Sequence, residues 1–159
     1  MTFARYMISA VALASLAAPA PAQKRELPYY ASISAGKARM RTGPGRNYPA
    51  SWLYQRAGLP IKVVDTHKEW RKVEDPGGTQ GWMQANLLSE GRTGFVKDEV
   101  VTLRAAPSAG AHVEWRAQKG VVGRISKCRR GWCWFDVRGR AGYVEALHLW
   151  GIEPGEDLP

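Results

Sequence analysis

Only two cysteines, Cys128 and Cys133, and three histidines, His67, His112 and His148, occur in this chain of 159 residues. Two cysteines exclude a disulfide-dense scaffold, and histidines so far apart make no helix-type metal motif. Long apolar runs are missing after Ala18, so nothing downstream approaches the roughly 20 residues of a membrane-spanning helix. No stretch beyond the N-terminal segment carries a 3.6-residue apolar period, which argues against amphipathic helices. Acids are scarce as well: 14 Asp and Glu stand against 23 Lys and Arg, for a formal charge of +9. Asp65, Glu69, Glu74 and Asp75 fall on or beside turn signals, with no shared pocket that would set two carboxyls to acid–base work. Gly43-Pro44-Gly45 lacks the Lys-Ser/Thr pair and the helix that a phosphate cradle requires. No catalytic set emerges, and neither cofactor nor metal is called for.

The front end reads as an export signal over residues 1–22. Arg5 supplies a weak basic start, Tyr6 to Ala18 is apolar, and Ala20-Pro21-Ala22 is a small-residue cleavage pattern that puts the mature start at Gln23. Cutting after Ala20 would leave Pro21 just past the cut, where its ring and missing N–H make it a poor substrate residue. An uncleaved anchor is the alternative, for which Tyr6 to Ala18 is too short. No Cys lies beside the cut to be acylated. The expected location is therefore the periplasm or the exterior, with no transmembrane segment after cleavage. A basic exported chain is drawn to wall polymers, lipid headgroups or acidic proteins. Export argues against nucleic acid as the physiological partner. Simple solubility with weak nonspecific attraction is the plainer meaning of the charge, and nothing in the sequence sets an oligomeric state.

What the chain does contain is a repeated unit. Glu69-Trp70-Arg71-Lys72-Val73-Glu74-Asp75-Pro76-Gly77-Gly78-Thr79-Gln80-Gly81-Trp82-Met83 returns as Gly131-Trp132-Cys133-Trp134-Phe135-Asp136-Val137-Arg138-Gly139-Arg140-Ala141-Gly142-Tyr143-Val144. In each copy a Trp opens a strand-like run, a Gly-containing turn follows, and Gly-aromatic-apolar starts the next run, which is the pattern of a β-hairpin. The correspondence extends outward: Arg104-Ala105-Ala106-Pro107 answers Arg41-Thr42-Gly43-Pro44, Lys119-Gly120 answers Ala57-Gly58, and Ala146 and Leu149 answer Ala85 and Leu88. The spacing drifts from 63 to 61, as short loop deletions produce. Trp115 matches either Trp52 or Leu53, depending on where the gap is placed. A hairpin is marginal alone, so each copy must close against strands of its own repeat. Short segments and frequent turn signals favour an all-β chain of two small, partly open barrels. The expected bounds are residues 29–88 and 95–150, joined by a short linker over 89–94. Residues 151–159, with two Pro and three acids, are expected to be disordered.

With Arg-x-x-Pro early, a turn Gly midway, Trp-x-x-Val/Phe, and Gly-Trp/Tyr-Met/Val near the end, each unit resembles the bacterial SH3-like domain family. The resemblance implies a five-stranded barrel serving as a non-catalytic attachment module, typical of exported bacterial proteins and often bound to peptidoglycan or to another protein. Eukaryotic relatives hold proline-rich helices on an aromatic groove. Here the groove Trp persists as Trp70 and Trp132, but its Pro position reads Gln84 and Glu145 and its Tyr position Leu87 and His148, which argues against proline-rich ligands.

Cys128 and Cys133 flank the tip of the second hairpin, at strand positions whose separation a disulfide bridges, and an exported chain meets an oxidising compartment. A structural disulfide is expected. A zinc site using both Cys with His112 and His148, or a Cys128–His148 nucleophile pair, are rival readings that lack proper ligand spacing and an orienting third group. Strand alternation places Cys133, Phe135 and Val137 inward and Trp132, Trp134 and Asp136 outward; in the first repeat Val73 points inward and Trp70 outward beside Lys72. Trp70 and Trp132 are thus groove candidates, and Trp134 is assigned to the contact between repeats or to a partner. Packing against the sister repeat is the competing account of these rings. Lys119, Arg124, Lys127, Arg129, Arg130, Arg138 and Arg140 gather around the turns of the second repeat. Arg129 and Arg130 are candidates for gripping carboxylates of wall peptides or of an acidic partner, against the alternative of a solvated face. The expectation is an exported, non-catalytic binding module for peptidoglycan or another anionic envelope ligand. A protein-binding scaffold in an envelope complex is the second reading, and a small wall hydrolase using Cys128 and His148 the third.

Overall fold

A computed structural model describes residues 25–159, so the export signal expected over residues 1–22 lies outside the described residues. The first unit comprises β1 (Tyr29–Ile33), β2 (Ala38–Arg41), β3 (Ala50–Tyr54), β4 (Pro60–His67), β5 (Trp70–Glu74), β6 (Gln80–Gln84), a 3-10 turn over Ala85–Leu87, and β7 (Leu88–Ser89). The second repeats it as β8 (Thr93–Val96), β9 (Val100–Arg104), β10 (Val113–Gln118), β11 (Val122–Arg129), β12 (Trp132–Val137), β13 (Arg140–Glu145), a 3-10 turn over Ala146–His148, and β14 (Leu149–Trp150). Strand order is β3-β2-β6-β5-β4-β1-β7 in one sheet and β10-β9-β13-β12-β11-β8-β14 in the other. Element by element these are the same antiparallel topology, so the chain is all-β and duplicated. Each sheet closes on one set of apolar residues. In the first, Ile33, Met40, Ile61, Val63, Val73 and Met83, from β1, β2, β4, β5 and β6, form a single cluster. In the second, Val96, Leu103, Ile125, Phe135, Val144 and Leu149, from β8, β9, β11, β12, β13 and β14, share the other core. A flat sheet could not bring its outer strands onto one cluster, so each sheet curls into a partly open barrel.

The repeated motifs have direct structural causes. Gly81 and Gly142 let β6 and β13 press onto β2 and β9. A Cβ at Gly142 would lie 2.9 Å from Leu103 Cβ and 3.0 Å from the Arg104 backbone nitrogen, and one at Gly81 would lie 2.8 Å from the Arg41 carbonyl. The Arg of Arg-x-x-Pro ties down the loop that follows it. Arg41 Nη1 donates to the Tyr48 carbonyl at 2.7 Å, and Arg104 Nη1 donates to the Ala111 carbonyl at 2.8 Å. Register also resolves the open gap: Trp52 faces Met40 and Trp115 faces Leu103, so Trp115 is the counterpart of Trp52.

Cys128 and Cys133 are bonded, with Cα atoms 4.0 Å apart, in keeping with their places beside the turn. Two features differ from expectation. Ser89 pairs with Ser32 in β7, and Thr93 already belongs to β8, so the segment between strands is shorter than residues 89–94. Residues 151–159 are anchored rather than loose, with Gly151 and Ile152 buried. Leu158 donates its N–H to the Cys128 carbonyl at 3.0 Å, and the Lys127 N–H donates to the Pro159 carbonyl at 2.7 Å. Strand β8 pairs with β11 only as far as Arg124, and the tail continues along the edge it leaves open.

Arg92 lies between the two barrels. Its Nη1 and Nη2 donate to the Glu156 carboxylate at 2.5 and 2.9 Å, and Nη2 also donates to the Gly151 carbonyl at 2.9 Å. The guanidinium sits 5.5 Å from the Tyr30 ring centroid. Tyr30 meets Trp150 edge-on at 5.1 Å, and Lys62 pairs with Glu153 at 2.5 Å. Composition alone could not reveal that the acids of the tail have cationic partners in the first barrel and at the junction.

Candidate functional site

On the first barrel, Lys37 and Arg39 point outward while Ala38 and Met40 of β2 point inward, as a half-buried strand requires. Lys37, Arg39 and Arg41 thereby line one side of a groove of about 390 Å³, completed by Leu53, Trp70, Gln84 and Leu87. Trp70 is only 4% exposed. This corrects its expected outward placement: the ring lines the groove from a buried position, alongside Leu53 from β3 and Leu87 from the 3-10 turn. Strand alternation cannot see that cover, because it comes from elements distant in sequence. Sequence reasoning missed the cations Lys37 and Arg39, although the period of two in Lys37-Ala38-Arg39-Met40-Arg41 was a usable signal.

The equivalent face of the second barrel has different chemistry. Trp132 is half-buried opposite Glu145, and Arg129 is its neighbour on β11. His148 stands where Leu87 stands in the first barrel, and its Nδ1 contacts the Asp98 carboxylate. Val100 and Thr102 occupy the positions of Lys37 and Arg39. Of the three edge cations only Arg41 keeps a cationic counterpart, Arg104, while Arg116 stands where Leu53 stands, so the two faces distribute their charge differently. Trp134 meets Tyr143 of its own barrel edge-on at 5.1 Å; the aromatic contact between barrels joins Tyr30 to Trp150 instead. Arg129 and Arg130 are exposed at the β11–β12 turn, so they and Trp70 belong to different barrels.

The disulfide consumes both thiols, which removes the Cys128–His148 nucleophile pair and the two-cysteine zinc set from this structure. Among the described residues no group of three or more His, Cys, Asp or Glu is placed to hold a metal ion. No helix among them is long and apolar enough to cross a membrane. Two tyrosines are perturbed. Burial, reinforced by the hydrogen bond to Asp75, pushes the Tyr54 phenol well above its ordinary range, and burial likewise raises Tyr30. At the junction, hydrogen bonds from Arg92 hold the Glu156 carboxyl below its usual value, and the hydrogen bond to Glu153 raises Lys62.

Two curled antiparallel sheets of one topology, each with a loop tied down by Arg and a hairpin opened by Trp, define a tandem pair of small β-barrel modules. The Bacterial SH3 domain family matches residues 34–90 and 97–151, and the chain belongs to that family. A relative is YrvJ of Bacillus subtilis (strain 168), provisionally named an N-acetylmuramoyl-L-alanine amidase, which is 23% identical over 129 residues. The match covers 70% of this chain and 24% of YrvJ, so the chain spans about a quarter of that relative's length. Among solved structures, NlpC2 of Trichomonas vaginalis matches at 13% identity and a TM-score of 0.36, covering 80% of this chain and 49% of that one. An NlpC/P60 family protein of Bacillus cereus ATCC 10987 matches at 13% identity and a TM-score of 0.35, covering 76% and 55%.

Proposed function

We propose that the chain is an exported, non-catalytic binding module that recognises peptidoglycan or another anionic envelope ligand. The observation that carries this reading is the groove of the first barrel, where Lys37, Arg39 and Arg41 stand beside Trp70 and Leu53. Cations beside an aromatic floor suit a ligand that presents carboxylates together with apolar or ring surface, as wall peptides and their sugars do. The amidase name borne by YrvJ supports the wall as the source of that ligand. Arg129 and Arg130 form a separate exposed basic turn and take a subsidiary role as a long-range attraction.

The test is sedimentation with purified peptidoglycan at low salt. Lys37→Ala with Arg39→Ala is expected to weaken pelleting about tenfold, within the range for loss of a few charge-assisted contacts. Arg129→Ala with Arg130→Ala is expected to weaken it less and to flatten its salt dependence. Arg41 is left in place because it also holds its loop. Unchanged pelleting of the Lys37/Arg39 variant would remove the groove from the proposal.

A further inference from the structure

The two barrels also differ at a half-buried place. In the first, Tyr54 reaches from β3 across Met40 to the β5–β6 turn, where its hydroxyl donates to Asp75 Oδ2 at 2.8 Å. The other oxygen of Asp75 accepts the N–H groups of Gly77 and Thr79 at 2.9 and 2.8 Å, so the tyrosine is locked to an organised turn. In the second barrel the counterparts of Met40, Tyr54 and Asp75 are Leu103, Ala117 and Val137, by strand register. All three line an open cleft of about 490 Å³, together with Val100, Val121 and Trp115. Replacing the phenol ring with a methyl group has left the space that the first barrel fills for itself.

The rim of that cleft is cationic. Arg140 lies 5.4 Å from the Trp115 ring centroid, and Arg116 also borders the opening. A second, adjoining depression shares Gln118, Val121 and Val137 with it and adds Arg56, Lys119 and Arg138. The neighbouring acids offset only part of this charge: Glu99 pairs with Lys119 at 3.5 Å, and Glu114 is exposed on β10, which leaves Arg56, Arg116, Arg138 and Arg140 to set the sign of the rim.

We propose that the Leu103–Ala117–Val137 cleft of the second barrel receives a phenyl side chain from an acidic peptide segment of a partner protein. The first barrel supplies the template for the ring. Val137 in place of Asp75 removes the acceptor for a phenol hydroxyl and so favours phenylalanine over tyrosine. Trp115 and Arg140 offer an aromatic face and a guanidinium to the ring and its flanking carboxylates. This goes beyond the wall-binding groove, which lies on the first barrel and uses other residues.

The probe is acetyl-Asp-Glu-Phe-Glu-Asp-amide, titrated into the two-barrel chain and followed by amide chemical shifts. The amides of Leu103, Ala117, Val121 and Val137 are expected to move. Exchanging Phe for Ala in the peptide, or its acids for Lys, is expected to weaken binding at least about tenfold. Ala117→Tyr refills the cleft as Tyr54 does, and should weaken binding by at least about tenfold while leaving peptidoglycan pelleting unchanged. Should that variant fail to fold, Arg140→Gln gives the same reading at the rim. The proposal is overturned if the cleft amides stay still at millimolar peptide, if the Ala peptide binds equally, or if a soluble muropeptide or a second copy of the chain occupies the cleft instead. Loss of pelleting in the Lys37/Arg39 variant alone bears only on the wall-binding groove.

Discussion

Gly142 shows how a single missing side chain sets the curvature of a barrel. Its backbone packs so close to β9 that an added Cβ would meet Leu103 Cβ at 2.9 Å and the Arg104 nitrogen and oxygen at 3.0 Å. Two of these three neighbours are backbone atoms and cannot rotate away. Gly142→Ala is therefore expected to destabilise the second barrel by about 1–3 kcal/mol, the range for overpacking a tight interior, measured by urea denaturation. Wild-type stability in that variant would mean that β9 and β13 separate without loss. The alternation of Cys133, Phe135 and Val137 against Trp132, Trp134 and Asp136 was legible because β12 is paired on both sides, so its period of two survives. Trp70 was misread because Leu53 of β3 and Leu87 of the 3-10 turn, both distant in sequence, stand beside it. The cleft at Ala117 was not legible either, since recognising it requires knowing that Tyr54 and Ala117 share one position.

The β11–β12 hairpin is the element that carries the disulfide. Its counterpart in the first barrel has Thr66 paired with Arg71, so the bridge is an addition to a turn that folds without one elsewhere in the same chain. Closing so short a loop removes little chain entropy, about 2 kcal/mol by the usual relation. Cys128→Ser with Cys133→Ser is therefore expected to lower the stability of the second barrel by about 2 kcal/mol and leave the first unchanged. Thermal unfolding of the variant, compared with wild type in the presence and absence of reductant, reads this directly. Collapse of both barrels together would show that they unfold as one unit. The tail was expected to be disordered because its composition is acidic and proline-rich, yet Leu158 and Pro159 bond to β11 beside this hairpin. Composition reports whether a segment can build its own core, and this segment borrows an existing edge.

At the scale of the whole molecule, two ion pairs stand at the junction of the barrels: Lys62–Glu153 reaches across it, and Arg92–Glu156 holds the guanidinium that faces the Tyr30 ring. Because the folded-state value of Glu156 lies below its ordinary one, its contribution is complete above the unfolded carboxyl value of roughly 4.3 and is lost as pH falls through the lower folded value. Lys62 has the opposite sense: its raised value gives a contribution complete below roughly 10.4 and lost as pH climbs through the folded value. Lys62–Glu153 is the weaker of the two, since Glu153 is half exposed and screened by solvent. Between these limits the junction should hold, and acid should loosen it first. The expected result is that the barrels tumble together near neutral pH and acquire separate rotational correlation times in acid, by NMR relaxation. Glu156→Gln should bring part of that loosening to neutral pH, because it removes the charge while keeping the shape. If the variant still tumbles as one body, the edge-on contact of Tyr30 with Trp150 holds the junction and the ion pair is incidental. That outcome is distinguishable, since Trp150→Ala would then separate the barrels at every pH.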